Sequence, residues 1–139
     1  MRPQLKQLIG KRVHFIGIGG AGMSGLARIA LSHGITVSGS DAKDSSVVIA
    51  LSALGATVST SHAAGNVDGS DVVVYSNAIS QSNPERVRAQ ELNLPTLTRA
   101  AALAMLMSES KSVAVAGTHG KTTTSSMLAV ALQACAADP

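Results

Sequence analysis

Two glycine-rich segments of this 139-residue chain have the residue types and spacing of phosphate-binding loops. The first, Gly17-Ile-Gly-Gly-Ala-Gly22, has the spacing G-x-G-x-x-G. Glycines allow a tight turn that brings the backbone close to a pyrophosphate, and the helix that follows offers free N–H groups. Asp41 follows about 20 residues later, where a carboxylate can accept a hydrogen bond from a ribose hydroxyl. The segment predicts a nucleotide site, and the alternative is a structural turn with a helix-capping or turn aspartate.

The second segment, Gly117-Thr-His-Gly-Lys-Thr-Thr123, contains Gly-Lys-Thr. It is tighter than the general P-loop, because Val115 occupies the position of that pattern's first glycine. Backbone N–H groups at a helix start would still cradle phosphates, Lys121 would neutralise the terminal phosphates, and the Thr122 hydroxyl would hold Mg²⁺. Thr123 can contact an inner phosphate. The alternative is a glycine loop with an exposed lysine.

Polar residues follow two further predicted strands. A ligand of a parallel sheet lies beyond the carboxyl ends of the strands, so we predict contacts from His62 and from Ser76-Asn77-Ala78. An exposed loop histidine is the alternative for His62. Arg99 either caps the same crevice or is solvated, and His14 is interpreted as a core histidine.

Hydrophobic patterning predicts alternating strands and helices that would position these residues. We expect strands at 12–17, 35–40, 56–60 and 71–75, a short extended piece at 95–97, and a strand at 112–116. Helices are expected at 21–33, 47–54, 84–92, 99–107 and 121–134, with Pro84 as a first helical residue and Thr98 as a cap. The pattern predicts an α/β fold with a Rossmann-like, doubly wound, mostly parallel sheet over residues 1–108. Residues 109–139 restart the pattern as strand, phosphate loop and helix.

Composition excludes several classes of function. The chain is 45% hydrophobic and 14% charged, and Phe15 and Tyr75 are its only aromatic residues, which argues against a single-strand nucleic-acid stacking platform. The net charge of +3 is too small for a duplex-binding stripe, so no nucleic-acid partner is expected. No apolar run reaches the ~18–20 residues of a membrane span. A single cysteine, Cys135, and the lack of a secretory signal favour the cytoplasm.

The order of the two sites resembles the muramyl ligase family, whose members have a UDP-sugar domain, a central ATPase domain opening with G-T-x-G-K-[ST], and a domain for an amino acid. The resemblance covers about Lys11 to Gln133. The segments that carry it are His14–Gly25, Gly39–Asp41, Ser76–Ile79, Asn83–Glu85, Arg99–Ala100 and Gly117–Thr124. The first turn and His119 are most similar to the member that joins L-alanine to UDP-N-acetylmuramate.

This resemblance implies ATP-dependent amide formation through an acyl phosphate, with ATP and Mg²⁺ required. The residues then expected to hold the UDP-substrate are Gly17, Gly19, Gly20, Ala21, Gly22, Met23, Ser24, Asp41, His62, Ser76, Asn77 and Ala78. Those expected to bind ATP are Gly117, Thr118, His119, Gly120, Lys121, Thr122 and Thr123. Lys121 is the expected catalytic residue, and Thr122 is expected to contact Mg²⁺ bound with ATP.

Alternatives remain within and outside this family. The ligase for recycled murein tripeptide is the second candidate, and a small NAD(P)-binding redox module is the third. Family members run to several hundred residues, so we expect this chain to be an N-terminal part that is inactive alone. We also expect residues 112–134 to pack on the edge of the first domain or on a neighbouring molecule, which would permit a homodimer.

Overall fold

A computed structural model of the chain describes residues 5–108 and 111–137. Its strands are β1 (Arg12–Ile16), β2 (Thr36–Ser40), β3 (Thr57–Ser59), β4 (Val72–Tyr75) and β5 (Thr96–Thr98). Its α-helices are α1 (Ala21–Ser32), α2 (Ser46–Ala53), α3 (Pro84–Glu91), α4 (Arg99–Met107) and α5 (Lys121–Ala134), with 3-10 helices at Leu5–Leu8 and Ala64–Val67. The strands form one parallel sheet in the order β3-β2-β1-β4-β5, which confirms the predicted doubly wound fold.

The strand order reverses direction at β1, which pairs with β2 on one side and β4 on the other. In this register Phe15 lies opposite Gly39 and also opposite Val74. In doubly wound sheets the ligand crevice opens at such a switch point, beyond the carboxyl ends of the strands. The glycine segment at 17–22 follows β1 directly and therefore lies at this crevice.

Both faces of the sheet are covered, because alternate residues of the central strands point to opposite sides. One face packs against α1, α2 and α4, and its core contains Val13, Phe15 and Val74. The other face lies against α3 and the 3-10 helix at Ala64–Val67, and its core includes Ile16. His14 shares this second face with Ile16 and is buried, which confirms its interpretation as a core histidine.

Local capping explains where the helices begin. The Asn83 side chain accepts hydrogen bonds from two N–H groups of the first turn of α3, and Pro84 opens that helix. The Thr98 hydroxyl accepts from the N–H of Ala101 at 3.2 Å and caps α4. Both caps agree with the predictions made from the sequence. Among the described residues, no helix combines the length and the apolar character that a membrane crossing needs.

The expected strand at 112–116 is wrong, because residues 111–117 adopt no secondary structure. A strand forms only where a neighbouring strand supplies hydrogen bonds, and none of the five strands pairs with this segment. Helix α5 forms as predicted but has no buried residue, and Met127 and Val130 are 68% and 65% exposed. No residue of α5 is buried in a way that would show the expected packing of this segment on the edge of the first domain, and its packing on a neighbouring molecule stays a prediction.

Candidate functional site

The glycine turn between β1 and α1 is tied to the end of β2. Gly17 has a φ of +79°, a conformation that favours glycine, and its N–H donates to the carbonyl of Ser40 at 2.8 Å. The N–H of Gly19 donates to Oδ2 of Asp41 at 2.8 Å. The N–H groups of Ala21 and Gly22, at the start of α1, have no partner among the described residues. These two groups and the helix dipole give the turn its capacity to bind an anion.

Neighbouring side chains leave no room for a Cβ at residue 19, so a glycine is needed there even without a ligand. A Cβ at this position would lie 2.9 Å from Oδ2 of Asp41 and 3.3 Å from Cγ2 of Val48. Asp41 thus lies at the turn, as its spacing predicted, and it uses Oδ2 to hold Gly19 and Oδ1 to accept from the N–H of Lys43 at 3.1 Å. Each carboxylate oxygen has further lone pairs available to a ribose hydroxyl.

Arg99, the first residue of α4, extends to the first turn of α1. A Cβ built on Gly22 would meet Nη1 of Arg99 and lie 3.1 Å from its Cδ and 3.3 Å from its Cζ. The Arg99 side chain is exposed and has no hydrogen bond or ion pair within the described part of the chain. An unpaired guanidinium beside free helix N–H groups is suited to a pyrophosphate. The geometry thus places the guanidinium beside the start of α1, and its role as a cation at the crevice stays a prediction.

The loop after β4 lies against the same turn. Ile79 contacts the position that a Cβ of Gly17 would occupy, at 3.3 Å. Arg86 holds this loop, since its Nη1 donates to the Ile79 carbonyl at 2.9 Å while its guanidinium lies 4.1 Å from the Tyr75 ring centroid. The residues predicted to contact the ligand, Ser76-Asn77-Ala78, are therefore held beside the glycine turn.

Two of the predicted substrate contacts are turned inward. Met23 is 2% exposed and belongs to the core beneath α1. Ser24 is 9% exposed, and its hydroxyl donates to the carbonyl of Ala21 at 3.2 Å. Neither side chain faces the crevice. Between Gly20 and Ser24, only the Ala21 side chain and backbone groups therefore remain available to a ligand.

A buried polar cluster, which we call the Glu85 cluster, lies beneath the crevice on the second face of the sheet. Glu85 of α3 is fully buried, and its carboxylate accepts from Ser40 Oγ at 2.6 Å and from Asn66 Nδ2 at 2.6 Å. His62 Nδ1 lies 2.9 Å from Ser40 Oγ and 3.3 Å from Glu85 Oε2. Nε2 of His14 lies 3.7 Å from Glu85 Oε2. The cluster comprises Glu85, Ser40, His62, Asn66, His14 and, bonded to His14 at 3.0 Å, Ser38.

Glu85 is a carboxylate despite its burial. Desolvation alone would raise its pKa, but the contacts with His14, Ser40 and Asn66 outweigh burial and lower the pKa of Glu85 to about 2. Glu85 itself therefore remains negatively charged across the physiological pH range. His62, with 22% of its side chain exposed, is bonded to this cluster and is therefore not a free loop histidine, while its contact with the substrate stays a prediction.

The second glycine segment forms an exposed loop that leads into α5. Gly120 has a φ of +76° and is the N-terminal cap of this helix. Nζ of Lys121 donates to the carbonyl of Gly117 at 2.8 Å, so the lysine folds across the loop. The N–H groups of Lys121, Thr122 and Thr123 have no partner in the part of the chain that the structure describes. This arrangement can cradle phosphate oxygens with backbone N–H groups.

Magnesium would find few ligands in the described residues. They contain no group of three or more His, Cys, Asp or Glu side chains that could hold a metal ion. The exposed hydroxyl of Thr122 is a hard oxygen donor of the kind that Mg²⁺ accepts, and nucleotide phosphates and water commonly supply its other ligands. The residues present thus fit a magnesium ion that arrives with a nucleotide.

Sequence reasoning missed Glu85 and Ser40 as parts of the site. An acidic residue in the first turn of a helix is already explained by the helix dipole, so Glu85 gave no signal by itself. A signal was nevertheless present in the strands, because His14, Ser38 and Ser40 place polar groups on a face that should be apolar. Buried polar groups need partners, and the partner had to come from the helix that covers this face.

The fold and the glycine turn define an α/β domain of the doubly wound class, in which ligands bind beyond the carboxyl ends of the strands. A family profile described as "Mur ligase family, catalytic domain" matches residues 12–111. The chain therefore belongs to the Mur ligase family.

Individual relatives refine this assignment. The chain is 58% identical over 128 residues to the UDP-N-acetylmuramate–L-alanine ligase of Nocardioides sp.. The aligned region covers 92% of this chain and 29% of that relative. The crystal structure of the UDP-N-acetylmuramate-alanine ligase MurC from Thermotoga maritima aligns with a TM-score of 0.83 and 36% identity, covering 88% of this chain and 29% of that one. The ligase MPL from Neisseria meningitides, named for UDP-N-acetylmuramate:L-alanyl-gamma-D-glutamyl-meso-diaminopimelate, aligns with a TM-score of 0.77 and 39% identity, covering 88% and 39%. The chain thus spans less than a third of the length of its curated relative.

Proposed function

We propose that this chain is the UDP-N-acetylmuramate-binding part of a ligase that joins L-alanine to that substrate with ATP. The observation that carries the proposal is the juxtaposition of the Arg99 guanidinium with the free N–H groups of Ala21 and Gly22. This arrangement suits the two negative charges of a pyrophosphate. The high identity to a relative named for this reaction supports the choice of substrate.

In the proposed reaction the lactyl carboxylate of the substrate attacks the γ-phosphate of ATP and displaces ADP. The amine of L-alanine then attacks the acyl phosphate, and inorganic phosphate leaves. Lys121 and the N–H groups at the start of α5 would meet the charge on the transferring phosphoryl group, which is electrostatic stabilisation. Thr122 would hold Mg²⁺ together with the nucleotide. The cytoplasm is the proposed compartment, and there the exposed Cys135 would remain a thiol.

The pyrophosphate, the ribose and the sugar of the UDP-substrate each have expected partners at the crevice. The glycine turn and Arg99 would hold the pyrophosphate, and Asp41 would accept from the ribose. The loop Ser76-Asn77-Ala78, fixed by Arg86, would contact the phosphates or the sugar. In the proposed reaction the glycine turn binds the pyrophosphate and takes part in no hydride transfer.

Calorimetric titration of the chain with UDP-N-acetylmuramate, NADH and NADPH tests this proposal. We expect saturable binding of UDP-N-acetylmuramate and no heat of binding with either nicotinamide nucleotide. Arg99→Ala should weaken binding of the UDP-substrate, whereas Arg28→Ala, on the exposed side of α1, is the matched control and should not. Preferential binding of NADH or NADPH would refute the assignment.

A further inference from the structure

The Glu85 cluster has no role in the proposed reaction, yet one of its side chains is accessible from outside the core. Glu85, Ser40 and His14 are buried, whereas His62 is partly exposed. A buried carboxylate is costly unless its hydrogen bonds serve the fold or a site. The hydrogen bonds in this cluster determine which ring nitrogen of His62 is available to a ligand.

The Glu85 carboxylate fixes the hydrogens of its neighbours because it can only accept. Ser40 therefore uses its single hydroxyl hydrogen to donate to Glu85 Oε2 at 2.6 Å. With that hydrogen engaged, Ser40 Oγ can only accept from His62 Nδ1, at 2.9 Å. A second acceptor, Glu85 Oε2, lies 3.3 Å from the same Nδ1. Nδ1 thus carries a hydrogen, and this tautomer of the ring has its lone pair on Nε2.

Nε2 of His62 is accessible at the surface of the domain. It has no hydrogen-bond partner among the described residues and is not one of their buried unpaired side-chain atoms. His62 follows β3, and the last residue of β3, Ser59, accepts the N–H of Asp41 at 3.0 Å. His62 therefore lies one strand beyond Asp41, on the side of the sheet where the nucleoside extends from a pyrophosphate held at β1.

We propose that Glu85 and Ser40 are positioning residues that hold His62 with Nε2 as a hydrogen-bond acceptor for the uridine of the bound substrate. The donor on the ligand is a ribose hydroxyl or the N–H of the base. This inference rests on the proposed function, because it needs a UDP-substrate at the glycine turn. The titratable groups packed around His62 are Glu85 from α3 and, behind it, His14 from β1, while β2 and the 3-10 helix contribute the neutral Ser40 and Asn66.

A double-mutant cycle between Ser40→Ala and His62→Ala tests the proposal by calorimetry with UDP-N-acetylmuramate. One neutral hydrogen bond corresponds to a loss of about three- to tenfold in affinity for His62→Ala. Ser40→Ala should weaken binding by a similar factor in the parent and by less than about 1.5-fold in the His62→Ala background. Ser38→Ala is the matched control, because Ser38 is buried on the same strand face and bonds to His14 instead. It should leave the affinity unchanged while lowering the thermal stability.

A further measurement separates positioning from folding. With 2′-deoxyuridine, 3′-deoxyuridine and 3-methyluridine diphosphates as probes, the effect of His62→Ala should vanish for the one that lacks the donor. Parent-like affinity of His62→Ala, equal losses from Ser38→Ala and Ser40→Ala, or additive losses in the cycle would overturn the proposal. Failure of the parent to bind UDP-N-acetylmuramate would instead refute the proposed function itself.

Discussion

Gly22→Ala perturbs the predicted pyrophosphate site through Arg99. The new methyl group would meet Nη1 of Arg99 and lie 3.1 Å from its Cδ. The guanidinium ends a flexible, exposed side chain, whereas Gly22 belongs to a helix whose buried face is packed. The arginine should therefore move and the helix should stay. The expected result is a cation displaced from the glycine turn in a protein that remains folded.

The magnitude follows from what Arg99 would lose. A hydrogen bond between a guanidinium and a phosphate oxygen is worth about 1.5–3 kcal/mol, which is about ten- to 150-fold in the dissociation constant. Gly22→Ala and Arg99→Ala should each weaken UDP-N-acetylmuramate binding within this range. Because both remove the same contact, the double variant should bind within about 0.5 kcal/mol of Arg99→Ala alone.

Calorimetry on the parent, the two single variants and the double variant measures this coupling. Gly25→Ala is the matched control, since Gly25 lies on the same helix and a Cβ there meets nothing within 4 Å. Alanine is favoured over glycine in a helix by about 0.5–1 kcal/mol, so Gly25→Ala should unfold at a higher temperature with unchanged affinity. Losses that add in the double variant would show that the methyl group at residue 22 obstructs the phosphate directly. That result would refute the reasoning about Arg99.

Three further predictions concern stability. Gly19→Ala should lower the free energy of unfolding by about 1–3 kcal/mol, measured by urea denaturation, because its Cβ would lie 2.9 Å from Asp41 Oδ2; an unchanged stability would show that Asp41 moves freely. The lowered pKa of Glu85 contributes stability that is present above its ordinary pKa of 4.5 and is lost as the pH falls toward about 2. Urea titrations should therefore show a decline on the order of 3 kcal/mol over that range, which Glu85→Gln flattens, and an equally steep decline in the variant would contradict this. Removing residues 111–139 should leave thermal unfolding and UDP-substrate affinity unchanged, since α5 buries no residue, whereas unfolding of the first domain would show that the predicted boundary near residue 108 is wrong.

The sequence predicted the sheet and the glycine turn because their signals are local. Hydrophobic runs marked β1 and β4, and the glycine spacing marked the turn that follows β1. The contact that favours a glycine at residue 22 could not be predicted from such local signals. Arg99 comes from a helix far along the chain, and only the packing of α4 beside α1 brings its guanidinium to the turn. Contacts between distant elements leave no periodicity in a sequence.

The segment around Val113 illustrates the opposite error. Its alternating valines have strand character, and the pattern alone predicted a strand. A strand also needs hydrogen bonds from a neighbour, and β3 and β5 at the edges of the sheet do not supply them. Val113 is 69% exposed as a result. Propensity describes what a segment can adopt, whereas pairing depends on which other strands are present.

Ser40 connects the two halves of the candidate site by different atoms. Its carbonyl accepts from the N–H groups of Gly17 and Ile18 at 2.8 and 3.0 Å, and its hydroxyl bridges Glu85 and His62. The carbonyl belongs to the backbone and survives any substitution, so Ser40→Ala removes the bridge while the glycine turn keeps its support. A change at this residue therefore separates positioning of the nucleoside contact from binding of the pyrophosphate. The turn and the Glu85 cluster meet at one residue of β2, which makes their contributions to affinity separable by experiment.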